Sequence, residues 1–215
     1  MSCVTGMYPL CFAVVDSENS DNWSWFMGKL AEILRPQNRV VTIISDRHKG
    51  LRDAIWSTFP MWPHAFCLYH LKNNIRSLYL GSKNNDTREK VLSIFTKCAY
   101  TSKVSFFTKY IGELESIGGD EIKDFLKSLP PKNYSNAHFL GNRYGDLCSN
   151  VAESFNSWIL NQRTLLIFQL VDGIHTKMMT LIGDRRAKSS SWSSILCPKH
   201  EKMLELYDKG TKRGL

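Results

Sequence analysis

Two carboxylates and one Cys/His segment are the residues of this 215-residue chain best suited to chemistry. Asp46 directly follows Arg-Val-Val-Thr-Ile-Ile-Ser at residues 39–45, a run of β-branched residues that predicts a strand. In an open α/β sheet, ligands gather at the carboxyl ends of strands, so Asp46 is well placed to hold a metal or act in catalysis. It is equally well placed to cap the helix predicted from Lys49, and position alone leaves the two readings level. Glu153 lies in Asn150-Val-Ala-Glu-Ser-Phe-Asn156, on a predicted helix whose packing face is Val151, Phe155 and Trp158. At about 100° per residue Glu153 falls opposite Val151, on a polar face with Asn150 and Ser157. A glutamate on such a face is usually only solvated. What sets this helix apart is its density of ligating side chains. Carboxylates that bind two Mg²⁺ ions must converge from separate elements and leave coordination positions open for phosphate oxygens.

His64, Cys67 and His70 stand at three-residue intervals in His-Ala-Phe-Cys-Leu-Tyr-His. Such spacings suit Zn²⁺, but a closed zinc site takes four ligands and this segment offers three. The plainer reading buries Cys67 on a strand and lets His70 open the next helix. Trp23 and Trp25 read as core, because aromatic residues at helical spacing more often pack than stack on bases. Lys72, Arg76, Lys83, Arg88 and Lys90 could contact phosphates, or could form an ordinary solvated surface.

These residues need elements to position them. Tyr8-Pro-Leu-Cys-Phe-Ala-Val-Val15 is apolar without helical period and predicts a strand buried on both faces. Asp16 to Asp21 read as a turn with several possible N-caps. Helical spacing then predicts helices over residues 22–34, 49–59 and 70–79, with a third strand at 65–68. Strands alternating with helices indicate an α/β layer architecture. From 86 to 129 the pattern is helical throughout, with polar breaks at 81–85 and 118–120, and Pro130 and Pro131 open a loop ending near Cys148. A helix around Val151 and a long one over 165–186 close the pattern. The expected division is an α/β core at 1–80, a helical insertion at 81–148, further core helices at 149–188 and a basic tail at 189–215.

Lys and Arg number 28 against 20 Asp and Glu, giving a net charge of +8, which suggests a polyanion and first of all nucleic acid. Six scattered cysteines without Cys-x-x-Cys spacing argue against a disulfide framework and for a reduced, intracellular protein. No signal-peptide pattern opens the chain, and its longest apolar run is far too short to span a bilayer, so no membrane is expected.

The order Tyr8-Pro-Leu-Cys-Phe-Ala-Val-Val-Asp-Ser-Glu18, Trp23-Ser-Trp-Phe26, Ser45-Asp-Arg-His-Lys-Gly-Leu51, Cys67-Leu-Tyr-His-Leu-Lys-Asn73 and Asn150-Val-Ala-Glu-Ser-Phe-Asn156 resembles the transposase domain of Mutator-like elements. That family includes plant transposases and transcription factors domesticated from them. The resemblance runs from about Tyr8 to Pro198. It implies an RNase H-like fold with a DDE carboxylate triad and a helical insertion before the Glu. Asp46 matches the second Asp, Glu153 the Glu, and Cys67 with His70 the family's Cys-x-x-His element. The first Asp belongs to a strand that should lie two strands before Tyr8, so the chain reads as N-terminally truncated. Asp16 is not its substitute, because Ser17, Glu18 and Asn19 mark a turn and helix cap.

The implied sheet order is 3-2-1-4-5, of which this chain would supply strands 3, 4 and 5. The fold class is therefore α/β, a partial RNase H-like fold with an all-helical insertion. Unpaired apolar strands predict self-association. The implied activity is DNA cleavage and strand transfer with Mg²⁺ or Mn²⁺, the implied partner DNA and the implied location the nucleus. With two carboxylates of three, the chain is expected to be an inactive remnant. The alternative is a domesticated DNA-binding regulator.

Overall fold

The apolar spacing of residues 22–34 does form a helix. In the computed structural model, which describes residues 8–79, 85–194, 196–198, 201, 202 and 204–206, α1 spans Ser20–Leu34. Asn19 caps it, its side-chain oxygen accepting the Asn22 N–H at 2.8 Å. Strand β1 (Ile43–Ser45) leads into α2 (Lys49–Thr58), and β2 (His64–Phe66) leads into α3 (Leu68–Leu78). β1 and β2 pair in parallel, with Ile43 opposite His64 and Ser45 opposite Phe66. Parallel strands need a crossover, and α2 supplies it.

The fold is mostly helical around this small parallel pair. Two of the expected strands are present but short. Residues 8–15 form none. A strand exists only where its backbone finds a ladder partner. Here Tyr8, Leu10, Val14 and Val15 stay exposed, so the expected strand is corrected to irregular chain.

The helical stretch divides into α4 (Asn85–Tyr100) and α5 (Val104–Lys127), broken at 101–103, a break that periodicity does not reveal. The expected break at 118–120 is a kink inside α5, where Gly119 has φ 68° and ψ −159°. Side chains avoid that region, so Gly119→Ala is expected to cost about 1–3 kcal/mol, read as a lower melting temperature. The expected break at 81–85 and Lys83 lie largely outside the described residues, as does much of the tail.

The chain divides into two compact units, residues 13–149 and residues 1–12 with 150–215. The first holds two apolar clusters. Met27 and Ala31 of α1 meet Leu51, Ala54, Ile55 and Phe59 in one. The larger joins Phe66, Leu71 and Ile75 to Val91, Phe95, Cys98, Leu114, Ile122, Leu129 and Tyr134. The helical stretch thus shares one core with β2 and α3. The return segment is held by Arg143, which donates to the Tyr134 carbonyl at 3.0 Å and to the Asn136 side chain, and lies 4.4 Å from the Phe139 ring. The second unit contains α6 (Asn150–Trp158) and α7 (Ile167–Ser189), tied by Lys177 Nζ donating to the Trp158 carbonyl at 2.6 Å.

Candidate functional site

Asp46 stands where β1 ends, half-buried, as its sequence position predicts. Its Oδ1 accepts the His48 N–H at 3.0 Å. This closes an Asx turn, and the bond reaches the residue that begins the helix rather than the first-turn amides. The carboxylate supports the entry to α2, and it also lies at the carboxyl edge of the parallel pair. Arg47 beside it donates to the Ser128 carbonyl at 3.4 Å, with its guanidinium 5.8 Å from the Phe66 and Phe125 rings.

Behind Asp46, the Ser45 hydroxyl donates to the Asp46 carbonyl at 2.8 Å. Its proton is used there, so Ser45 Oγ accepts from His64 Nε2–H at 2.8 Å. His64 is buried at 5% exposure, and its pKa is lowered to about 4 by burial and then by the charge of Arg52. It is a neutral bracing residue between β1 and β2. The buried Asn133 side chain adds to the brace by donating to the His64 carbonyl at 2.7 Å.

Cys67 follows β2 and caps α3, fully buried. Its Sγ accepts the Ser149 N–H at 3.1 Å. Burial pushes the Cys67 thiol up, but hydrogen bonds from Ser149 and His70 outweigh burial and bring it below the ordinary range. Cys67 and His70 are thus brought together, while His64 turns to Ser45. The residue that spacing could not reveal is Cys148. Leu68 N–H donates to the Leu147 carbonyl at 2.8 Å, which lays residues 147–149 along the start of α3. Cys148 lies 81 positions beyond Cys67 (148 − 67), so no local pattern connects them.

Glu153 belongs to the other unit, in the first turn of α6, where an acidic side chain suits the helix dipole. It is half-buried, as are Phe155 and Trp158, whereas Val151 is exposed. Asn150 and Ser157 are exposed and Phe155 and Trp158 half-buried, as the expected faces require, while Val151 and Glu153 depart from them. Among the described residues no group of three His, Cys, Asp or Glu converges to hold a metal ion. The Cys67–His70 pair offers two of the four ligands that a closed zinc site takes. Of the basic candidates, Arg76 donates to Asn73 at 2.6 Å and Arg88 faces Glu89 at 3.3 Å, while Lys72 is half-buried and Lys90 exposed. No described helix is long and apolar enough to cross a membrane.

A family model described as the MULE transposase domain matches residues 1–74. That segment carries Asp46, Cys67 and His70, and the resemblance read from the sequence is borne out over it. Glu153 lies beyond it. No curated protein and no solved structure matches the chain.

Proposed function

We propose that this chain is a Mutator-type transposase remnant that binds DNA and does not cut it alone. One observation carries the reading: the family match takes in the whole β1–Asp46–α2–β2–Cys67–His70 succession. The formal charge of +8 supports a polyanionic partner, and DNA as partner makes the nucleus the place of action. Cleavage of a phosphodiester by two divalent ions takes several carboxylates in one place. The motif positions supply Asp46 and Glu153, and the described residues gather no three-donor group. Binding without cleavage is the proposal, and it also suits a domesticated regulator.

The test is a pair of measurements on the 215-residue protein. Fluorescence anisotropy with duplex DNA should show affinity falling linearly in log–log form with salt, by about 0.9 per phosphate contact, and no requirement for Mg²⁺. A supercoiled-plasmid assay with Mg²⁺ or Mn²⁺ should show no nicking. Metal-dependent nicking that disappears in Asp46→Ala would overturn the reading, as would binding indifferent to salt.

A further inference from the structure

Cys148, the neighbour of Cys67, lies outside the family match and has no part in that reading. Both are free thiols, Cys67 buried and Cys148 partly exposed. Two hydrogen bonds flank Cys148 and bind its segment to the Cys67–Leu68 dipeptide. One runs from Leu68 N–H to the Leu147 carbonyl at 2.8 Å, the other from Ser149 N–H to Cys67 Sγ at 3.1 Å. These two bonds bring residue 148 alongside residue 67, and a disulfide takes a pair whose Cα atoms lie about 4.4–6.8 Å apart. The Cys67 sulfur also acts on the Cys148 thiol, so the two are neighbours.

We infer that Cys67 and Cys148 form a modification site, a dithiol that a hydroperoxide converts reversibly to a disulfide. Cys148 is the partner a small oxidant can reach. Its sulfur attacks the peroxide, the O–O bond breaks, and a sulfenic acid and one water result. Cys67 sulfur then attacks the Cys148 sulfur and displaces hydroxide, which leaves as water with the proton given up by the Cys67 thiol. The thiols together lose two electrons, and hydrogen peroxide is reduced to two waters.

The asymmetry of the pair suits this order. Cys148 is partly exposed and meets the oxidant first, while the buried Cys67 is left to resolve the sulfenic acid beside it. The crosslink would fasten residue 148 to the joint between β2 and α3.

The whole chain, treated with hydrogen peroxide and then alkylated, is to be mapped by mass spectrometry without reduction. The expected result is a loss of two hydrogens and a linked Cys67–Cys148 peptide that dithiothreitol separates. Cys148→Ser should abolish that peptide, while a Cys11→Ser, Cys98→Ser, Cys197→Ser variant should still form it. Sulfinic acid at Cys148 beside a reduced Cys67 would overturn the inference. So would Cys67 linked to another cysteine, or no change at either residue in the unaltered protein.

Discussion

Phe95→Ala is expected to lower the stability of the 13–149 unit by about 3–5 kcal/mol, the range for emptying a large aromatic site in a core. Phe95 is fully buried on α4. Its ring stacks on Tyr134 at 5.3 Å and 19°, and meets Phe125 edge-on at 6.2 Å and 67°. Such pairs add about 0.5–1.5 kcal/mol beyond the area they bury. Leu71 and Ile75 of α3 and Leu114 and Ile122 of α5 belong to the same cluster, so little slack exists to collapse into the cavity. Whole-domain stabilities are about 5–15 kcal/mol, so this one change removes a large share. Urea unfolding followed by circular dichroism checks it, as a lower midpoint with an unchanged slope. A loss below about 1 kcal/mol would mean that the helical stretch is not one core with β2.

The second large effect is acid destabilisation through His64. In the unfolded chain a histidine takes up its proton near pH 6.5, whereas in the folded chain His64 waits until about 4. Between these values the unfolded state binds more protons, so stability falls as the pH drops. The slope is about 1.4 kcal/mol per pH unit, amounting to about 3 kcal/mol across the window. Above pH 6.5 the contribution is complete and flat. His64→Gln can still donate to Ser45 but cannot charge, so it should flatten the slope between pH 6.5 and 4. Unfolding midpoints measured across that range decide it. An unchanged slope in the variant would remove His64 from the account.

Helices were legible in the sequence because an amphipathic helix carries its own hydrogen bonds and its own period. α1, α2 and α7 begin and end within a few residues of the periodic pattern. Strands were less legible, because a strand depends on a partner that its own residues do not name. The β-branched run at 39–45 yields three paired residues, and the apolar run at 8–15 yields none. The break after Tyr100 has no local signature, because Thr-Ser-Lys carries neither Gly nor Pro.

The candidate site divides in the same way. Cys67 and His70, three residues apart, meet as local spacing suggests. The bracing of His64 by Ser45 and Asn133, and the approach of Cys148, depend on tertiary return and leave no local trace.

That tertiary return bears on the order of events during synthesis. The His64 carbonyl takes its hydrogen bond from Asn133, and Cys67 Sγ takes its own from Ser149, residues 69 and 82 positions later. When residue 74 leaves the ribosome, none of these donors has been made. At about 5–20 residues per second, β2 waits on the order of 3–14 s for Asn133 to be added. Until then its buried carbonyl and sulfur have water or a chaperone for company. The joint between β2 and α3 is thus completed by residues made long after it, while the α1–α2 cluster draws only on residues made before it.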